Sequence, residues 1–281
     1  MPDPIPTVRQ FRLAQALREL RMEAQMTQEQ VAARMEWHTS KLFRLENARS
    51  PRVNWLDIQG LLDLYGVASP QREALIQLAK DARKRGWWTS YRDVFTGSYV
   101  ALEDAAHSMR RYCAELVPGL LQTEDYARSV IQALRPAYGT EDVERRVAAR
   151  MERQALLSRD NAPELVCILN EAVLYRQVGD PQIMSKQLRN LADAMERSNI
   201  TVRILPYSAG AHAAMEGPFV ILSFPEDEYP DVIYIEGMMG DLYLESVEEI
   251  RRYTLTFETL DKASACPETS ASLISKALKE I

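Results

Sequence analysis

Residues 26–47, MTQEQVAARMEWHTSKLFRLEN, constrain the fold of this chain more than any other stretch. Val31, Ala32 and Met35 form one short apolar group at helical spacing, and Leu42 and Leu45 form a second. Glu36-Trp37-His38 separates them by about one turn. Thr27 is a good N-cap, and Gln30 stands where a capping box needs it. His38 or Thr39 opens the second helix. Two helices this short and this tightly joined cannot bury a core alone. They present the second helix outward while other helices pack behind them.

The outward side of the second helix offers His38, Thr39, Ser40, Lys41 and Arg44. These are donors and small hydroxyls with no acid among them, the groups that read base edges in the major groove of DNA. Gln28 begins the first helix, where a side chain and free backbone N–H groups can hold a phosphate.

The Thr27-Gln28 opening, Val31-Ala32, Ser40-Lys41-Leu42 and Arg44-Leu45-Glu46-Asn47 together resemble the Xre/Cro/phage-repressor helix-turn-helix family, over residues 9–68. The resemblance implies a double-stranded DNA partner. The expected contact set is Thr27, Gln28, His38, Thr39, Ser40, Lys41, Arg44, Asn47, Arg49 and Arg52. Arg49 and Arg52 belong to a turn that reads either as a phosphate contact or as a solvated loop. The resemblance also implies a structural ion pair between Arg21 and Glu46. Ala48 departs from the family, which usually has glycine there; a left-handed residue costs more with a side chain.

Charge is distributed unevenly. Residues 1–86 carry 14 Lys/Arg against 10 Asp/Glu, and the rest carries 20 against 30, within an overall net charge of −6. A basic head on an acidic body suits a nucleic-acid protein whose second part keeps DNA away. The three cysteines, Cys113, Cys167 and Cys266, form no C-x-x-C pair and read as free thiols. MPDPIPTVRQ has no apolar signal region, and no window has the apolar length of a membrane span. The expected location is cytoplasmic, with no membrane contact. No cofactor and no metal site is expected, because no ligand set has zinc spacing.

Around the helix-turn-helix the chain reads as helical. A first helix is expected over residues 7–24, and Asn54 caps another running to Tyr65. Ser69 as N-cap with Pro70 at the first helical position opens a fifth. Its end, Lys80–Arg85, is either a solvated helix end or a phosphate contact. The aromatic stretch Trp87–Tyr91 marks a boundary, giving a helix-turn-helix domain over 1–86 and a second domain over 87–281. There, helices are expected over 99–112, 123–134, 140–157 and 183–197, and strands over 165–169, 200–205, 219–224 and 232–235. Leu242–Leu244 is a candidate further strand, and two helices close the chain. The fold class is mainly α with an α+β second domain: a five-helix head, then helices around a small sheet of about four strands.

Two further motifs, Leu116–Arg128 (LVPGLLQTEDYAR) and Leu205–His212 (LPYSAGAH), are distinctive, as is Gly217-Pro218-Phe219. With them the chain resembles the WhiJ-like group of actinomycete regulators, which join an Xre-type head to a C-terminal domain of uncharacterised function. The resemblance implies a transcriptional regulator in an antitoxin-like arrangement with a small partner protein encoded nearby, or with a small-molecule effector. Operator symmetry in such regulators implies a homodimer. No catalytic motif is present, so the chain is not expected to be an enzyme. Glu171, Tyr207 and His212 are the candidate ligand or partner contacts of the second domain. The loop 207–217 reads either as a binding loop or as a tight strand connection. Two alternatives to DNA reading stay open: a protein-docking use of the helix-turn-helix, and a DNA-tethered enzyme built on His212 and nearby acids.

Overall fold

The computed structural model describes residues 8–50, 53–82, 87–91, 93–95, 99–225, 230–237 and 240–281. They form two compact units, Met1–Ala105 and Ala106–Ile281.

The first unit contains α1 (Val8–Glu23), α2 (Gln28–Arg34), α3 (Thr39–Glu46), α4 (Trp55–Leu64), α5 (Gln71–Asp81) and α6 (Tyr99–Ala105). Side chains cap the starts of α2, α3 and α4. Thr27 accepts the Gln30 N–H at 3.3 Å while Gln30 Oε1 accepts the Thr27 N–H at 2.9 Å, the reciprocal capping box of α2. His38 caps α3, its Nδ1 accepting from the Ser40 N–H. Asn54 caps α4, and Gly66 leaves the helix with φ +72°. The start of α5 corrects the expectation for Ser69 and Pro70. Pro70 itself is the N-cap, without a side-chain bond to the helix, and the Ser69 hydroxyl donates to Glu73 at 2.9 Å.

The core of this unit is the apolar stripe of α1 closed by the inner faces of the other helices. Leu17, Val31, Leu42, Ile58, Leu61 and Leu62 are sealed from solvent. Trp87–Tyr91 forms a 3-10 turn. Trp88 is buried against Val100 and Ala101 of α6, with Trp87 and Phe95 around it.

The second unit is built on one six-stranded sheet in the order β3-β2-β1-β4-β5-β6. Its strands are β1 (Ser108–Cys113), β2 (Glu164–Asn170), β3 (Ile200–Leu205), β4 (Phe219–Ser223), β5 (Val232–Ile235) and β6 (Leu242–Leu244). β1, β2 and β3 are parallel, and β4, β5 and β6 each run antiparallel to the neighbour before them in the order. Helices α7 (Glu124–Leu134), α8 (Thr140–Gln154), α9 (Ala172–Tyr175), α10 (Pro181–Met195), α11 (Val247–Ala263) and α12 (Pro267–Glu280) complete it. α11 crosses one face, where Tyr112, Ile168, Phe219, Ile221 and Ile233 meet Phe257 and Leu260. α10 and α12 pack on each other and on β3, and α7 pairs with α8.

The sheet is larger than the expected four strands because β1 was not anticipated. Residues 99–112 read as one helix, but α6 ends at Ala105 and residues 108–113 form the strand. Leu102, Ala105, Ala106, Met109 and Tyr112 do recur at helical intervals. The choice falls to strand because residues 108–113 pair on both sides, with β2 through Tyr112↔Ile168 and with β4 through Tyr112↔Phe219. Two adjacent arginines in the middle of the strand hide its alternation.

Candidate nucleic-acid interface

The angle between α2 and α3 is held by one buried carboxylate. Glu46, the last residue of α3, accepts from Arg21 of α1 through Nε at 2.7 Å and through the second guanidinium arm at 3.1 Å. The third nitrogen of Arg21 donates to the Met26 carbonyl at 2.9 Å. Gln28 Nε2, from the first position of α2, donates to the same carboxylate at 2.7 Å. The Glu46 side chain is 1% exposed, so three helices converge on a charge shielded from water. The hydrogen bond to Glu46 holds the Arg21 guanidinium more firmly protonated than usual. The ion pair implied by the family resemblance is therefore present, with Gln28 as a third member.

This arrangement sorts the expected DNA contacts. The Gln28 side-chain amide, expected at a phosphate, faces inward onto the Glu46 carboxylate instead. The Thr27 hydroxyl is engaged in the cap. Lys41 lies over the Trp37 ring, 3.8 Å from its centroid, and pairs with Asp57 of α4 at 2.8 Å. Thr39 and Ser40 are partly exposed, and His38, Arg44, Asn47 and Arg49 are exposed. Asn47 Nδ2 donates to the Phe43 carbonyl at 2.8 Å, closing the end of α3. Arg44 has no side-chain partner among the described residues. Arg52 lies outside the described residues, as do Arg83–Arg85 of the basic run; Lys80 lies 5.2 Å from the Trp55 ring centroid. Ser40, Arg44 and Asn47 follow one another along the outer side of α3, opposite buried Leu42 and Leu45.

Ala48 takes φ +53°, the left-handed conformation the exit from α3 requires, and the Arg49 N–H then returns to the Arg44 carbonyl at 2.8 Å. The helix exit thus keeps the geometry usual for glycine while carrying a buried methyl group. Sequence reasoning passed over one residue of this face, Phe43, which is 44% exposed. The signal was available: Phe43 falls between Ser40 and Asn47 at helical spacing.

In the second unit the candidate contacts gather where the parallel strands end. Glu171 follows β2, and its Oε2 accepts the Tyr207 N–H at 2.7 Å just beyond β3. His212 lies in the next loop, its Nδ1 accepting the Ala214 N–H at 3.3 Å and its Nε2 3.4 Å from Tyr112 Oη. Asn170 Nδ2 also donates to that hydroxyl, at 3.5 Å. The Tyr112 hydroxyl thus lies between the His212 ring and the Asn170 amide. Burial raises the Tyr112 phenol above its usual range and keeps it protonated. Tyr112 and Asn170 were not anticipated. The helical spacing of residues 99–112 hides Tyr112, which stands on β1.

The Leu116–Arg128 motif is a bonded turn. The Leu121 carbonyl accepts from Gln187 Nε2 at 2.7 Å and from Asn190 Nδ2 at 2.8 Å, and Gln187 Oε1 accepts the Thr123 N–H at 2.7 Å. Thr123 is the N-cap of α7 by position, but its hydroxyl makes no bond to the helix. Gln122 accepts from Arg150 at 2.6 Å; desolvation, then the neighbouring Arg153, lower the Arg150 guanidinium to about 10.

Residues 96–276, well over half the chain, match the family described as domain of unknown function DUF5753. The chain belongs to the DUF5753 family. Residues 12–75 match a helix-turn-helix domain, HTH_31. No curated protein and no solved structure shows significant similarity to the chain. The helix-turn-helix domain, covering the Arg21–Glu46–Gln28 clamp and all of α3, points to a DNA-binding regulator. The DUF5753 match takes in the whole sheet and the residues at its carboxyl edge. Among the described residues, no helix is long and apolar enough to cross a membrane, and no group of three His, Cys, Asp or Glu could hold a metal ion.

Proposed function

We propose that this DUF5753 protein is a sequence-specific transcriptional regulator of the WhiJ-like actinomycete group, binding double-stranded DNA as a homodimer in the cytoplasm. The observation that carries the proposal is the outer stripe of α3, Ser40, Arg44 and Asn47, on a helix clamped through Glu46. A recognition helix needs an exposed set of donors and a fixed angle to the helix before it. Arg44 supplies the bidentate donor suited to guanine, and the N–H groups at the start of α2 suit a phosphate.

The DUF5753 domain takes the input in this reading, and it is not a catalyst. Ligands of parallel sheets settle beyond the carboxyl ends of the strands. There the Tyr112 hydroxyl lies beside His212, Asn170 and the Glu171–Tyr207 clip. A small effector, or a small partner protein encoded nearby in an antitoxin-like arrangement, would be read at this edge.

Footprinting of the purified chain on the DNA upstream of its own gene tests the whole proposal, with and without the products of neighbouring genes. The expected result is two protected half-sites about 34 Å apart or a multiple of this. Affinity should fall steeply with salt as phosphate counterions are released. A flat salt dependence and no protection would rule the proposal out.

A further inference from the structure

We infer that Phe43 is a base-reading residue that packs on the C5-methyl group of thymine, and that Lys41 stands outside the reading set. The inference rests on the DNA-reading function proposed above and names a base that α3 selects. α3 spans Thr39–Glu46, and its buried side consists of Leu42, Leu45 and Glu46. Phe43 therefore projects outward, one position before Arg44 and one turn after Ser40. It is 44% exposed, and among the described residues of α3 it is the only large apolar side chain left open to solvent. The open part of the ring contributes no burial to the fold, and phenylalanine is a poorer helix former than the polar residues that usually occupy a solvated face.

In the major groove the methyl of thymine is the one apolar group at the base edges, and apolar side chains recognise it by contact. Phe43 supplies that contact in the middle of a face whose other members are donors. The Asn47 amide, bonded to the Phe43 carbonyl at 2.8 Å, finishes the turn that carries the ring. Lys41 has a different environment. Its ammonium is between the Trp37 ring, at 3.8 Å, and the Asp57 carboxylate, at 2.8 Å. Reading a base would require leaving both, so Lys41 fixes the turn and α4 against α3. Arg44, adjacent to Phe43, then places a guanine preference close to the thymine.

The test uses the full chain and duplexes selected by it from a random-sequence pool. Each thymine of a selected duplex is replaced in turn by deoxyuridine, which removes only the methyl group. Wild type should lose about fourfold in affinity at one thymine per half-site, the value of one buried methyl. Phe43→Ala should bind more weakly overall and show no loss at that position, whereas Phe43→Leu should keep part of it. Unchanged thermal melts of both variants would show that the fold is intact. Lys41→Met should retain the selected sequence. Equal losses in wild type and Phe43→Ala, or no loss at any thymine, would overturn the inference while leaving DNA reading in place. A pool from which nothing is enriched would overturn both.

Discussion

Arg21 and Glu46, 25 residues apart in sequence, meet through two hydrogen bonds of 2.7 and 3.1 Å on a carboxylate almost closed to solvent. Gln28 completes the arrangement from α2, so the carboxylate fixes three helices at once. Removing one partner strands a buried charge. Arg21→Ala or Glu46→Ala should destabilise the first unit by about 3–5 kcal/mol, measured by urea denaturation of the first unit's transition. A loss below about 1 kcal/mol would mean that the pair is solvated and contributes like a surface contact.

The two basic residues of α3 should separate in their effects. Arg44→Ala should cost about 1–3 kcal/mol of discrimination between the selected site and single-base variants of it. Lys41→Ala should lower stability by no more than about 1 kcal/mol, through loss of the Trp37 and Asp57 contacts, and leave base preference intact. Competition binding with single-base variants, beside a thermal melt, distinguishes the two.

Ala48 occupies a left-handed conformation with a buried methyl group. Ala48→Gly should relieve about 1 kcal/mol of backbone cost and forfeit nearly as much burial, so its net effect should be small. Ala48→Val should destabilise by about 1–3 kcal/mol, because a β-branched residue resists positive φ. Thermal denaturation of the two variants reads the difference directly.

Gln187 is fully buried and holds the turn before α7 through the Leu121 carbonyl and the Thr123 N–H. Gln187→Leu keeps the volume and leaves both backbone groups with fewer partners. The expected cost is about 1–3 kcal/mol for each group orphaned, less for the Leu121 carbonyl, which retains Asn190. Calorimetry of the full chain should show the loss in the second unit's transition and not in the first.

The thiols should divide by burial. Cys113 and Cys167 are buried and Cys266 is exposed; burial pushes the first two thiols above their ordinary range. A thiol held protonated and away from solvent reacts slowly. A disulfide reagent should therefore modify one thiol in the native chain, and Cys266→Ser should abolish that fast phase. Rapid native modification of three thiols would contradict the placement of β1 and β2.

Much of the first unit was legible because its signals are local. The capping box at Thr27 and Gln30, the cap at Asn54 and the apolar stripe of α1 lie within a turn or two of the residues they organise. The inward turn of Gln28 was not legible, since its partner Glu46 reaches it only after α3 has packed against α1. Lys41 reads as a free donor until Asp57 of α4 arrives beside it. In the second unit β2 through β5 showed apolar runs or alternation. β1 carried Arg110 and Arg111 in its centre and borrowed a helical rhythm from the residues before it.

By itself the sequence determined what depends on neighbours along the chain: helix periods, caps, the basic head and acidic remainder, and the donors on α3. Only the tertiary structure decided that Ser108–Cys113 is one of the two central strands, because both its ladders are made with segments far away in sequence. The same holds for the meeting of Tyr112, Asn170 and His212 at the carboxyl edge of the sheet. Local preference is a weak bias. Pairing and burial across long sequence separations outweigh it, and no window of sequence contains those partners.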